Sequence, residues 1–313
     1  MLISFQEHII KSSWNLFIPP LLTLLDDTSN RIRYRGLLLL SSLLPRFPKS
    51  LLEQTGLDSV FEEAVMPTLL YLPNLTPVEE SVALLPAAYR ALFVLGDVRF
   101  PLSSPPQYVG SLSLNGKTKE EKDYEAKKDC LKFLDRIMRQ GVLTGYAHSS
   151  KHPAIAKILV QQIGVLVQKM GVHAVKHLKD MIPILSAVLA DSFGALRPSL
   201  LFETVKTLQA MILNTWPRMS EQIHRVEVIK ALVLCWKTIN EDESTHTEAE
   251  QMVLGDLRKE IGVAGRLLVK AVEGDFDMIT ELRPIMEVDR ALIESVFGIT
   301  STAARVKDEE SMQ

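Results

Sequence analysis

The sequence has few aromatic residues and almost no cysteine. Phe, Trp and Tyr together make up 6% of its 313 residues, and the two cysteines are Cys130 and Cys235. Two cysteines this far apart exclude the disulfide framework of a small secreted domain and a cysteine-rich zinc site. Because each cysteine lies within an apolar helical pattern, we expect two buried free thiols in a reducing compartment.

The sequence also lacks a strong excess of charge and a long apolar run. Its formal net charge is −3, so no overall field attracts the chain to nucleic acid or to an anionic membrane. The longest apolar run, residues 36–44, is too short to cross a bilayer. Residues 1–10 lack the basic start and apolar stretch of a signal peptide. We therefore expect a cytoplasmic and nuclear protein without a membrane segment.

The sequence is rich in helix-forming residues at helical spacing. Hydrophobic residues make up 47% of the chain, and they recur every three or four positions, which places them on one face of a helix. No alternating strand pattern occurs. Three such sets are Ile155, Leu159, Ile163, Leu166 and Met170; Leu201, Val205, Leu208 and Ile212; and Val253, Leu257, Ile261, Ala264 and Leu268. The pattern predicts an all-α fold.

One segment of the sequence occurs twice. Residues 18–33 align without gaps on residues 182–197, and the offset of 164 residues is about four periods of roughly 41 residues, within the HEAT and armadillo range. The identical pairs include Ile18 and Ile182, Pro19 and Pro183, Leu25 and Leu189, Asp27 and Asp191, and Arg33 and Arg197. This repetition predicts a HEAT/armadillo-like right-handed superhelical solenoid of stacked antiparallel helix pairs.

Two residue types in the repeated segment are interpreted as structural. Asp27 and Asp191 fall in the short turn between the two helices, where an aspartate can cap the second helix. Arg33 and Arg197 lie six residues later, near the start of that second helix. The arrangement resembles the ladder of Asp and Arg side chains that links neighbouring repeats in HEAT arrays.

The sequence divides into two helical regions around a predicted loop. Residues 96–119 are rich in Pro, Ser and Gly, which indicates a long loop. The loop separates N-terminal HEAT-like repeats at 1–95 from C-terminal repeats at 120–298, and residues 299–313 form a polar tail. The chain opens on an apolar helix without the polar face that terminal repeats need. We therefore expect either a partner or further repeats to cover this end.

Three patterns that could support catalysis or ligand binding each lack a required part. Residues 110–118 (GSLSLNGKT) place five residues, not four, before Gly-Lys-Thr, and no predicted strand precedes them, so a solvated loop is favoured over a phosphate-binding loop. His173 and His177 have the spacing of two metal ligands, but a third ligand and a catalytic glutamate are lacking. Paired carboxylates such as Glu62 and Glu63 are expected to lie in solvated runs, not in the apolar surroundings that acid–base catalysis uses. We expect no enzyme activity, no cofactor and no metal.

A basic cluster lies near the second helix of the first copy. Arg31, Arg33 and Arg35 alternate with Ile32 and Tyr34. Such a cluster could bind the phosphates of a nucleic acid, but it could equally contact acidic side chains of a protein or belong to the repeat ladder. Because the net charge is near neutral, we expect no nucleic-acid ligand.

Several segments resemble the Tel-two-interacting protein two family. They are residues 30–40 (NRIRYRGLLLL), 54–61 (QTGLDSVF), 72–81 (LPNLTPVEES) and 84–89 (LLPAAY). The resemblance is specific over about residues 15–95 and looser, as helical repeats only, to about residue 298.

The resemblance implies a role in a protein assembly. Members of that family are HEAT-like scaffolds in a trimeric complex with the Tel-two protein and the first Tel-two-interacting protein. That complex is a co-chaperone that supports the folding, assembly and stability of phosphatidylinositol-3-kinase-related kinases. The resemblance therefore implies a hetero-oligomer with the first Tel-two-interacting protein as the direct partner. The Tel-two protein is a further partner, and the kinases and the ninety-kilodalton heat-shock chaperone are indirect ones.

The side chains that would bind such partners can be predicted only by type. Trp, Tyr and Arg are the commonest anchors of protein interfaces. The candidates for partner binding are therefore Arg31, Tyr34, Arg35, Trp216 and Trp236. Core packing is the alternative for each tryptophan. A different class of function also stays open, namely a solenoid transport adaptor that carries cargo and resembles the karyopherins.

Overall fold

The computed structural model describes residues 7–101, 119–241 and 248–299 of the chain. These residues form helices joined mostly by short turns, and no strand occurs among them. The all-α prediction is therefore confirmed. Most of the predicted loop, including Gly116, Lys117 and Thr118, lies outside the described residues, as does the polar tail from residue 300 onward.

The chain forms two compact units, residues 1–158 and 159–313. In the first unit, the π-helix Ile137–Leu143 joins α6 to α7 without a break. The helices of this unit are α1 (Glu7–Leu25), α2 (Asn30–Leu43), α3 (Lys49–Thr55), α4 (Leu57–Val65), α5 (Val78–Arg99), α6 (Lys119–Arg136) and α7 (Thr144–Ser149).

The boundary between the units falls within α8 (Pro153–Met170). A 3-10 helix, Gly171–His177, connects α8 to the next helix. The remaining helices are α9 (Leu178–Leu189), α10 (Pro198–Thr215), α11 (Gln222–Glu241), α12 (Glu248–Val272), α13 (Met278–Val288) and α14 (Arg290–Phe297).

The helices of each unit pack as stacked pairs. In the first unit α1 pairs with α2 and α4 with α5, while α1 also contacts α4 and α2 contacts α5. The second unit repeats this scheme, because α9 pairs with α10 and α11 with α12, while α9 contacts α11 and α10 contacts α12. Each pair thus covers the apolar side of the next, as in helical repeat proteins. The right-handed superhelical course stays a prediction.

The two copies of the repeated segment have the same first helix. α1 ends at Leu25 and α9 ends at Leu189, which are aligned positions, and each helix contains the aligned proline six residues earlier. The copies diverge after the turn. α2 begins directly at Asn30, whereas the second copy first forms the 3-10 helix Gly194–Leu196 and α10 begins at Pro198.

The apolar sets predicted from helical spacing form much of the core. All members of the sets that begin at Ile155 and Leu201 are buried. The prediction for the set that begins at Val253 is wrong at its first member. Val253 is 41% exposed, and the buried stripe of α12 begins at Leu254 and continues through Leu257.

The helices on either side of the predicted loop belong to one compact unit. α5 extends to Arg99, so the helix continues into the segment predicted as loop. Arg99 Nη1 donates to Glu62 Oε2 at 3.0 Å, and Arg136 Nη1 donates to Glu62 Oε1 at 2.9 Å. Because α5 and α6 share this carboxylate of α4, the division between units lies in α8 and not in the 96–119 segment.

Two helical stretches have the length and hydropathy of a membrane span, although none was predicted. They are Val78–Arg99 and Pro153–Leu189, with mean hydropathies of 1.4 and 1.3. Half of each apolar window is buried inside the protein. The second stretch is also interrupted by the 3-10 helix that follows α8, where Gly171 has a φ of 56°. Helices buried in a repeat core pass the same compositional test.

Candidate functional site

The turns of the two repeat copies share one hydrogen-bonding geometry. Asp27 Oδ1 accepts a hydrogen bond from the Ser29 amide at 2.7 Å. Asp191 Oδ1 accepts one from the Phe193 amide at 3.0 Å. An aspartate that accepts from the amide two residues later stabilises the turn itself. The aspartates therefore stabilise the turn and do not cap the second helix. The N-cap residues are Ser29 for α2 and Arg197 for α10, and neither helix has a side-chain cap bond.

Arg33 connects the first helix pair to the second. Its side chain is buried. Nη2 donates to the Asp27 carbonyl at 3.0 Å, and Nη1 donates to Thr68 Oγ1 at 3.4 Å. The guanidinium carbon lies 4.5 Å from the centre of the Tyr71 ring. Thr68 lies in the 3-10 helix Met66–Leu70 that extends α4, so Arg33 contacts both its own turn and the neighbouring pair.

Arg197 is placed differently from Arg33. Its Nη1 lies 3.7 Å from Asp191 Oδ2, and both side chains are more than a third exposed. This ion pair stays within one turn. Of the four residues interpreted as a ladder, Arg33 makes a described contact between helix pairs, whereas Asp27, Asp191 and Arg197 hold their own turns.

The basic cluster separates into an exposed and a buried part. Arg31 and Arg35 are exposed and lie one turn apart on α2, whereas Tyr34 is half-buried. Arg33 points into the contact between helix pairs. The cluster thus offers two accessible guanidinium groups beside a partly covered tyrosine.

The two candidate tryptophans lie on different elements. Trp216 begins the short 3-10 helix Trp216–Arg218 that ends α10, and its side chain is 56% exposed. The side chain of Trp216 is therefore not a core residue. Trp236 lies within α11 and is half-buried, so core packing accounts for a larger part of its surface.

An apolar pocket of about 400 Å³ lies beside Trp216. We call it the Trp216 groove. The end of α10 forms one wall, the end of α12 forms the other, and the turn after α12 closes one end. Its lining residues are Ile212, Leu213, Trp216, Leu267, Lys270, Ala271, Gly274 and Asp275. The groove brings together residues that are more than fifty positions apart in sequence.

The rim of the groove is exposed and carries two opposite charges. Leu213 is 58% exposed, whereas Ile212 at the base is fully buried. Lys270 and Asp275 are both exposed. No ion pair joins either of them to another residue within the described part of the chain. The arrangement is an apolar centre with a charged edge, which is the usual anatomy of a protein interface.

The sequence did not predict the wall that α12 contributes. Leu267 and Ala271 are four residues apart and therefore share a helix face, directly beside the core residues Ala264 and Leu268. The sequence signal for this wall is that the apolar stripe of α12 is wider than the face that packs in the core. The partner helix α10 could not be inferred, because the pairing of α10 with α12 is a tertiary contact.

The histidine pair does not form a metal site. His173 is exposed and His177 is buried, and both lie in the 3-10 helix Gly171–His177. A 3-10 helix has three residues per turn, so positions i and i+4 do not share a face. Among the described residues, no group of three or more His, Cys, Asp or Glu side chains could hold a metal ion.

Two buried titratable groups lie away from the groove. Burial raises the pKa of the Cys235 thiol to about 12, so the thiol stays protonated and unreactive near neutral pH. Burial also raises the pKa of the Tyr89 phenol far above its usual value. Neither cysteine forms a disulfide, and Cys130 is only half-buried, unlike the burial that its sequence pattern predicts.

The chain matches the model of a known protein family. The sequence model of the Tti2 family matches residues 1–196 of this chain, which is 196 of its 313 residues. No solved structure matches the chain.

Proposed function

This chain belongs to the Tti2 family, and from that membership we propose that it is a non-catalytic scaffold subunit of a co-chaperone complex. The complex contains the Tel-two protein and the first Tel-two-interacting protein. In this role the chain supports the folding, assembly and stability of phosphatidylinositol-3-kinase-related kinases, with the ninety-kilodalton heat-shock chaperone as an indirect partner. The family match over residues 1–196 is the observation that carries the proposal.

The architecture supports a binding role. Stacked helix pairs leave long outer faces on which another protein can bury surface. Two such faces carry residues of the anchor types. One is the outer face of α2 with Arg31 and Arg35, and the other is the Trp216 groove. A protein that works by presenting such faces needs no reactive group. The buried, protonated thiol of Cys235 is consistent with this non-catalytic role.

The first Tel-two-interacting protein is the direct partner in this proposal. We further propose that the chain works in the cytoplasm and the nucleus, where the thiols of Cys130 and Cys235 stay reduced.

Co-expression with the first Tel-two-interacting protein tests the proposal. The full chain, tagged and co-expressed with that protein, should elute with it from a size-exclusion column at the mass of a hetero-oligomer measured by light scattering. Addition of the Tel-two protein should shift both into a ternary complex. A chain that elutes alone in the presence of both proteins contradicts the proposal.

A further inference from the structure

We propose that the Trp216 groove binds an amphipathic helix of the partner subunit. This helix presents apolar side chains to the groove, a carboxylate opposite Lys270 and a basic side chain opposite Asp275. The inference rests on the proposed function, because it assigns the surface with which the scaffold holds its partner.

The first step is that the groove leaves apolar surface in water. Trp216 and Leu213 are 56% and 58% exposed, and Leu267 and Ala271 of the opposite wall are half-buried. Apolar residues that converge on one concave site indicate a binding surface more strongly than scattered ones. Trp216 lines this site, and tryptophan is a frequent source of binding energy at protein interfaces.

The second step is that the walls favour a helix as the occupant. α10 and α12 lie side by side, and their side chains form the groove. A helix packs its ridges of side chains between those of two neighbouring helices. An extended strand needs a free sheet edge to pair with, and the lining residues lie on helices and a turn. A small-molecule site encloses most of its ligand, whereas this rim is open to solvent.

The third step is charge complementarity at the rim. Lys270 lies on the last turn of α12, and Asp275 lies in the turn beyond it. Both are exposed, and neither forms an ion pair with another described residue. A helix with an acidic residue on one flank and a basic residue towards one end satisfies both charges. Two rim charges of opposite sign also favour one direction of the bound helix over the reverse.

Substitutions in the groove test the inference in the full chain. Trp216→Ala should weaken binding of the first Tel-two-interacting protein by about 30-fold or more, as expected for an aromatic anchor. Lys270→Glu should weaken it by about three- to tenfold at low salt, and the loss should shrink at high salt. Met252→Ala is the matched control, because Met252 is 73% exposed on α12 and lies about 27 Å along the helix from Lys270. It should leave binding unchanged.

A fluorescence measurement reads the groove directly. Trp14, Trp216 and Trp236 are the three tryptophans of the chain. A variant with Trp14→Phe and Trp236→Phe, labelled with 5-hydroxytryptophan, reports only on Trp216 while the partner stays unlabelled. Binding of the partner should shift the emission to shorter wavelength and protect the indole from quenching by acrylamide.

Each outcome supports or contradicts the inference, the proposed function or both. Loss with Trp216→Ala and Lys270→Glu, retention with Met252→Ala and protection of Trp216 support the inference. Full binding by both groove variants overturns it and leaves the proposed function standing. Absence of binding by the unaltered chain overturns both. A homodimer that Trp216→Ala dissociates would assign the groove to a second copy of the chain and overturn the inference.

Discussion

Arg33 and Arg197 occupy the same position in two copies of one sequence segment, but Arg33 is buried and Arg197 is not. Arg33 is 5% exposed and donates to the Asp27 carbonyl at 3.0 Å. The Arg197 side chain is 47% exposed and pairs with the Asp191 carboxylate at 3.7 Å. A buried charge depends strongly on its partners, whereas an exposed ion pair contributes little. The same substitution should therefore have different effects at the two positions.

The first prediction compares the two arginines. Arg33→Ala should lower the free energy of unfolding by about 2–4 kcal/mol, because the bonds to Asp27 and Thr68 and the contact with Tyr71 are lost. Arg197→Ala should lower it by less than about 1 kcal/mol. Urea unfolding followed by circular dichroism measures both. Equal losses would show that Arg33 does not link the helix pairs.

The two copies of the repeated segment show which features of the turn can be predicted from local sequence. The position of the turn, its aspartate and the end of the first helix at Leu25 and Leu189 follow from local sequence, because an Asx turn needs residues only two positions apart. The burial of Arg33 depends on Thr68 and Tyr71, which belong to the next helix pair. Such a contact is tertiary, and no local pattern distinguishes Arg33 from Arg197.

The second prediction concerns the carboxylate shared by α5 and α6. The expectation that Glu62 is solvated is wrong, because Glu62 is 7% exposed and accepts from both Arg99 and Arg136. Glu62→Gln should lower the free energy of unfolding by about 1–3 kcal/mol, because two guanidinium groups lose a buried counter-charge. The partial exposure of Arg99 and Arg136 limits the loss. Glu53→Gln, in an exposed pair with Lys49, should cause no measurable change in the same urea experiment.

The third prediction is a pH dependence at Glu260. The side-chain amide of Gln209, and then the ammonium of Lys206, lower the pKa of Glu260 below its ordinary value of 4.5. An acid with a lower pKa in the folded state stabilises the fold above the unfolded pKa, and this contribution disappears as the pH falls through the folded pKa. Below pH 4.5 the unaltered chain should therefore lose stability more steeply than Glu260→Gln. Parallel curves in urea unfolding at stepped pH would contradict this assignment.

In the candidate site, as in the repeat, contacts between helices could not be predicted from the sequence. Trp216 could be singled out by residue type, and the structure shows it exposed beside a pocket. Lys270 and Asp275 could not, because single charges on a helix end and in a turn resemble any solvated surface. Only the packing of α10 against α12 places them on the rim of one groove.

The fourth prediction concerns the close approach of α14 to α12. A Cβ at Gly265 would overlap the backbone carbonyl oxygen of Val296, whereas a Cβ at Gly255 would meet no atom within 4 Å. Backbone cannot move aside as a side chain can, so Gly265→Ala should displace α14 and lower the free energy of unfolding by about 1–3 kcal/mol. Gly255→Ala, on the same helix, should raise it by about 0.5–1 kcal/mol, because alanine favours the helix. Hydrogen exchange should show faster exchange at Leu292 and Ile293 of α14 for Gly265→Ala alone. A stabilising Gly265→Ala would mean that α14 does not pack on this face of α12.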